Sequence, residues 1–237
     1  MGAHRYAGWV SIPAATPSAS GAGPGLFVTF EGGDGSGKSS QVSRLTSALV
    51  AAGERVVRTR EPGGTPLAET LRSLVLEPGN GPIDARTEAL LYATARSSHV
   101  QQVIRPALRS GAVVVCDRFV DSSLAYQGVG RGLGTGEVAK INAFATGGLS
   151  PDLTFLLDLS PADGRARRAA GRGTEDRLES EPDAWHQEVR AAFLGLACAE
   201  PERYRVIDAT RPLKEIAALV LSEVTAALAA RRAGVRA

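Results

Sequence analysis

The clearest chemical signal in the chain is an unbroken run, Gly32-Gly33-Asp34-Gly35-Ser36-Gly37-Lys38-Ser39, followed by Ser40. It fits GxxxxGK[ST] without a mismatch, and glycine at this density lets successive backbone N–H groups turn inward around a phosphate. A helix that starts at the lysine adds its N-terminal partial positive charge. Lys38 can reach the β- and γ-phosphates of a nucleotide as a point charge, and the Ser39 hydroxyl suits Mg²⁺. A glycine-rich turn with a chance lysine is the bland alternative. It requires both flanks to be coincidence, since the apolar run Leu26–Glu31 precedes the loop and Val42, Leu45 and Leu49 mark one helical face after it.

Phosphate binding does not name a reaction, so the other charged residues matter. Val113-Val114-Val115-Cys116-Asp117 is an apolar run closed by an acid. A carboxylate at a strand's carboxyl end, beside the loop, can hold Mg²⁺ with Ser39 directly or through water. Arg118 follows at once, and Arg60 closes another apolar segment, in Arg60-Glu61-Pro62-Gly63-Gly64. Both guanidinium groups can grip a phosphate bidentately; a surface Asp-Arg pair and a solvated turn arginine are the plainer readings. Only three of the 27 basic residues are lysines (Lys38, Lys140, Lys214), and Arg165, Arg167, Arg168, Arg172 and Arg177 crowd one glycine-interrupted stretch. That stretch reads as a lid closing over a transferring phosphoryl, or as a solvated helix face. Tyr92 and Arg96 stand i and i+4 on an expected helix, so they share a face suited to a planar base with a carbonyl edge; a core tyrosine with Arg96 on its rim is the plainer reading. No N/TKxD guanine motif is present. A small-molecule kinase therefore leads over a GTPase, with a non-catalytic nucleotide switch as the rival class.

These residues need a scaffold. Residues 1–24 are rich in Gly, Ala, Ser and Pro, without apolar periodicity, and read as a flexible extension; residues 25–237 read as one domain. Strands are expected at Leu26–Glu31, Arg55–Thr59, Ala112–Cys116, Leu153–Leu159 and Tyr204–Ile207. Helices are expected over Ser39–Ala52, from Thr65-Pro66 with Leu67, Leu71 and Val75 inward, and from Asp84 with a bend at Pro106. Further helices are expected from Ser160, around Trp185–Leu196, and from about Pro212 to Arg231 with Leu213, Ile216, Val220, Val224 and Leu228 inward. Helices alternating with apolar strands predict an α/β fold, a five-stranded parallel sheet with helices on both faces and ligands at the strands' carboxyl ends. At 237 residues, 43% apolar and net charge +2, the chain needs no staple, and its charge argues for neither nucleic acid nor membrane as partner. Cys116 and Cys198 form no CxxC pair and read as reduced core thiols of a cytoplasmic protein.

Together the segments FEGGDGSGKSS (30–40), TREPGGT (59–65), LLYATAR (90–96), DRFVDSSLAYQGVGRG (117–132), RGTEDRLE (172–179) and YRVIDA (204–209) resemble the thymidylate kinase family over about Gly25 to Leu228. The resemblance implies a three-layer P-loop kinase fold with a small lid, about residues 164–180. It implies transfer of the ATP γ-phosphoryl to dTMP with Mg²⁺, and a homodimer. It assigns Gly32–Ser40 to ATP. Arg60 and Arg118 would hold the dTMP phosphate, Tyr92 would stack on thymine, and Arg96 and Gln127 would bond the base's polar edges. Tyr126 would lie where a ribose 2′-OH would go, and Asp34 would touch the sugar 3′-OH or the metal shell. Residues 208–212 would lie near adenine. One branch of the family carries a basic residue at the position of Gly35. This chain resembles the other branch, in which lid arginines supply that charge, with Arg172 and then Arg168 as candidates. Ser123 is also expected among the dTMP contacts, although it and Phe119 stand where relatives often have Asn, and Tyr or His. A phosphate monoester has its second pKa near ~6, so the acceptor needs no general base, and His4, His99 and His186 are read as structural or exposed.

Overall fold

The computed structural model describes residues 25–77, 79–170 and 176–234. The extension at 1–24 and Arg172 lie outside the described residues. Five strands form one parallel sheet: β1 (Leu26–Glu31), β2 (Val56–Arg60), β3 (Val113–Asp117), β4 (Leu153–Asp158) and β5 (Tyr204–Asp208), in the order β2-β3-β1-β4-β5. The helices are α1 (Lys38–Ala51), α2 (Pro66–Leu76), α3 (Ala85–His99), α4 (Arg105–Arg109), α5 (Val120–Ser123), α6 (Thr135–Thr146), α7 (Pro161–Ala170), α8 (Asp183–Ala199) and α9 (Leu213–Arg232). π-helical turns over Val100–Ile104 and Leu124–Gly130 follow α3 and α5. The first of these carries the chain from α3 into α4, so the long helical stretch expected from Asp84 changes its winding just before Pro106.

Alternation along β1 divides the core. Leu26, Val28 and Phe30 pack with α1 and α9 through Val42, Leu45, Leu49, Ile216, Val220 and Val224. Phe27 faces the opposite way, onto Val57, Val114, Cys116, Ile104 and Phe119. Burial on both faces explains why the strands read as continuous apolar runs. Two expected inward positions are solvent-facing instead: Leu67 is 52% and Leu213 43% exposed. Each lies in the first turn of its helix. Cys116 is buried as expected, but Cys198 is exposed; both are free thiols.

Local capping sets where helices begin. Thr65 Oγ1 accepts from the Ala68 amide at 3.1 Å with Pro66 at the first helical position. Asp84 accepts from the Arg86 and Thr87 amides. Ser160 Oγ accepts from the Asp163 amide and opens α7. α5 and α6, with the π-turn between them, had no counterpart in the sequence reading. Ser122, Ser123, Gln127 and Asn142 are buried polar residues that blur any apolar stripe there.

Candidate active site

Strand order places three chemical groups side by side along the sheet's carboxyl edge. β1 opens into the Gly32–Lys38 loop. Its neighbour β3 ends in Asp117 and Arg118, and β2, paired with β3, ends in Arg60 opposite Asp117. Adjacent strands are about 4.8 Å apart, so the loop and Arg60 are separated by roughly two strand spacings with Asp117 and Arg118 between them. One cavity of about 510 Å³ joins them, a size usual for small-molecule sites. Asp34, Lys38, Ser39, Arg60, Tyr92, Arg96, Asp117, Arg118, Ser123, Tyr126, Gln127 and Arg168 all line it. The described residues expected to act from separate segments thus meet in one place.

At the loop end, Lys38 Nζ donates to the Gly32 carbonyl at 3.0 Å and the Gly33 carbonyl at 2.7 Å. Burial, and then Arg118, lowers its ammonium to about 8. The Ser39 hydroxyl donates to Asp117 Oδ2 at 2.6 Å. Gly35 sits at φ +80°, and a Cβ there would lie 2.3 Å from the Gly164 carbonyl oxygen of α7. A side chain at 35 is excluded twice over, by backbone conformation and by α7. Arg168, one turn further along α7, donates to the Asp34 carbonyl at 3.2 Å, and Arg167 lines the cavity while donating to the Ala209 carbonyl.

Arg118 stands at the centre. Its φ of +71° makes it the one described non-glycine residue in the left-handed region, a conformation that costs on the order of 1–3 kcal/mol. Its amide still pairs with the Phe30 carbonyl at 2.9 Å, so the turn comes directly off the ladder. The guanidinium donates to the Gly32 carbonyl, the Ser122 hydroxyl and the Asp34 carboxylate. Burial raises the Asp34 carboxyl, but Arg118 and Lys38 outweigh it and hold the group well below the usual range. Glu31, absent from the sequence reading, braces this turn by accepting from the Phe119 amide at 2.7 Å and the Ser122 hydroxyl at 2.6 Å. Burial, then Asp121, pushes its carboxyl up to about 7.

At the far end, Arg60 pairs with Glu69 at 2.8 Å. Arg72, also missed, lines the cavity nearby and donates to the Pro62 carbonyl at 3.0 Å. Arg96 is only 2% exposed. Its Nε donates to Glu61 at 2.6 Å, Nη1 to Ser123 and Asn142, and Nη2 to the Phe119 carbonyl at 2.9 Å. A guanidinium has five N–H donors, so one remains, on Nη2. Tyr92, one turn earlier on α3, shares the cavity wall as the spacing predicted. Glu61 also accepts at 2.9 Å from His99, whose other ring nitrogen meets Thr59 at 2.6 Å. That histidine is structural, and Glu61 is a further acid the sequence reading passed over. Of the arginines expected in a lid, Arg165 reaches Asp183 and Arg177 reaches Glu88.

Comparison with known proteins agrees with this geometry. The family model described as thymidylate kinase matches residues 30–220. Thymidylate kinase of Leifsonia xyli subsp. xyli is 55% identical over 195 residues, covering 82% of this chain and 92% of the relative. That of Lactobacillus delbrueckii subsp. bulgaricus is 53% identical over 196 residues, covering 82% and 92%. That of Clavibacter michiganensis subsp. michiganensis is 53% identical over 206 residues, covering 87% and 97%. A phosphate loop, an acid and two arginines on adjacent strand tips, and a match over most of both lengths lead to one conclusion: the chain belongs to the thymidylate kinase family.

Proposed function

We propose that this chain transfers the γ-phosphoryl of ATP to dTMP, giving dTDP and ADP and so supplying dTTP synthesis, with the donor at the Gly32–Ser40 loop and the acceptor between Arg60, Arg118 and Tyr92. As a member of its family it is an enzyme, a dTMP kinase. One observation carries the division of labour: Lys38 and Arg60 border the same cavity from strand tips two positions apart, with Arg118 between them. Two anionic nucleotides can then meet end to end, and catalysis rests on alignment and charge neutralisation rather than a general base. Lys38 and Arg118 act on the transferring phosphoryl, and Arg168 and Arg172 complete its charge shell from the lid.

Ser39 and Asp117 fit a magnesium site. Mg²⁺ takes few protein ligands and keeps water and substrate phosphate oxygens, and a hydroxyl 2.6 Å from a carboxylate supplies such a pair. Bound there, the ion would neutralise charge developing on the phosphates. Among the described residues no cluster of three or more His, Cys, Asp or Glu forms a denser cation cage. Asp34 and Tyr126 lie where the sugar would sit, Tyr126 stacked under the Arg118 guanidinium at 5.1 Å from the ring centre. Burying the thymine methyl contributes only ~0.8 kcal/mol, so dUMP is expected to be a poor but real substrate. ADP release measured with dTMP, dUMP, dCMP, dGMP and UMP side by side tests the assignment. dTMP should lead, dUMP should follow weakly, and preference for any other acceptor rejects it.

A homodimer is the second part of the proposal. Leu67 and Leu74 of α2, Leu90 of α3 and Phe144 of α6 are exposed large apolar side chains, Phe144 at 94%, and α3 packs against both α2 and α6. Phe144→Glu should shift the light-scattering mass from dimer to monomer; a wild-type monomer contradicts this part. The ATP requirement and two free thiols support a cytoplasmic location. Among the described residues no helix is long and apolar enough to cross a membrane.

A further inference from the structure

Glu88 has no place in the scheme above, yet it is completely buried one turn before Tyr92 on the helix that walls the acceptor end. A buried carboxylate needs donors on both oxygens. Oε1 accepts from Gln127 Nε2 at 2.8 Å and Oε2 accepts from Arg177 Nη2, while Arg131 Nε approaches at 3.3 Å. Arg177 is itself fixed, its Nε donating to the Val75 carbonyl at 2.9 Å, and Arg131 is tied to Glu181 at 2.6 Å.

This arrangement removes an ambiguity at Gln127. A side-chain amide can present either its carbonyl or its amino group. A carboxylate flanked by two guanidinium groups only accepts, so Gln127 must turn its NH₂ toward Glu88. The Nε2 bond is the only side-chain hydrogen bond Gln127 makes among the described residues, and Gln127 lines the cavity. Its carbonyl oxygen is therefore the polar atom available to a base. We infer that Glu88 is a positioning residue that fixes the Gln127 amide so that the acceptor pocket receives a pyrimidine carrying an N3–H donor and disfavours cytosine. Thymine and uracil have that donor, whereas cytosine has a bare N3 acceptor beside an amino group. The inference rests on the dTMP-kinase reading.

Glu88→Gln tests it with nearly constant volume. The single oxygen of the new amide remains with Arg177, which can only donate. The amino group then falls toward Gln127, which must rotate to accept and so shows its own NH₂ to the base. Steady-state kcat/KM should be measured for dTMP and dCMP at saturating ATP in wild type, Glu88→Gln, Gln127→Leu and the double variant. The dTMP:dCMP ratio should fall at least about tenfold in Glu88→Gln, the worth of one hydrogen bond, through a higher KM for dTMP and a gain with dCMP. The KM for ATP should stay within about twofold, and the double variant should be no less selective than Gln127→Leu alone. Equal losses on both acceptors in Glu88→Gln would show a merely structural role and overturn the inference. Should Glu88→Gln fail to fold, an unchanged ratio in Gln127→Leu overturns it as well. A wild type that does not use dTMP rejects the functional reading itself, an outcome distinct from either.

Discussion

Gly35 and Gly164 touch backbone to backbone. A Cβ on the first would lie 2.3 Å from the second's carbonyl oxygen, and a Cβ on the second would lie 2.4 Å from the Asp34 carbonyl. The phosphate loop is thereby clamped against α7, the helix that carries Arg167 and Arg168. This contact gives a physical reason why no basic side chain occupies position 35: the space is filled by the helix that brings arginines from the other side.

Gly164→Ala isolates that contact. Alanine favours a helix over glycine by about 1 kcal/mol, so α7 itself should not suffer. The methyl must push the loop away, an overpacking cost of ~1–3 kcal/mol. ATP KM should rise about tenfold with a smaller change in dTMP KM, and initial-rate kinetics with each substrate varied checks this. An unaltered ATP KM would mean that the loop yields without consequence.

Lys38 predicts a proton linked to ATP binding. Burial and Arg118 lower its pKa to about 8, from the 10.5 of an unperturbed lysine. Because the folded value is below the unfolded one, the buried ammonium costs stability in the free protein below pH 8, and that cost fades as pH rises toward 10.5. Polyphosphate adds negative charge beside the ammonium and raises the pKa again. ATP binding at pH 8.5 should therefore take up a fraction of a proton. Calorimetry in two buffers of different ionisation enthalpy should show it, and Lys38→Met should abolish it. Proton release in the wild type would reverse the sign and contradict the electrostatic account.

Much of this site could be read from sequence because its chemistry sits at strand ends. Lys38, Ser39, Arg60, Asp117 and Arg118 each follow an apolar run, and a parallel sheet gathers such ends on one edge. The i,i+4 spacing of Tyr92 and Arg96 put them on one face, and the family resemblance singled that face out. Glu31, Glu61 and Glu88 were not, since their partners are remote in sequence: Phe119 and Ser122, Arg96 and His99, Gln127 and Arg177. A faint signal existed, because Glu31 ends an otherwise apolar strand and Glu88 precedes Tyr92 by one turn on the same face. α5, α6 and the π-turn between them were illegible because buried polar residues interrupt the apolar stripe there. Leu67 and Leu213 misled because periodicity marks a helix face but not whether that face is covered at the helix's first turn.

The central claim is that one cavity holds two separable anion sites. Equilibrium dissociation constants for ATP and for dTMP, measured on wild type, Lys38→Ala and Arg60→Ala, test it most directly. Lys38→Ala should weaken ATP at least about tenfold, the loss of a charge-assisted contact worth ~1.5–3 kcal/mol, and leave dTMP within about twofold. Arg60→Ala should do the reverse. Should each substitution weaken both nucleotides by the same factor, the two-site arrangement along the strand tips is wrong.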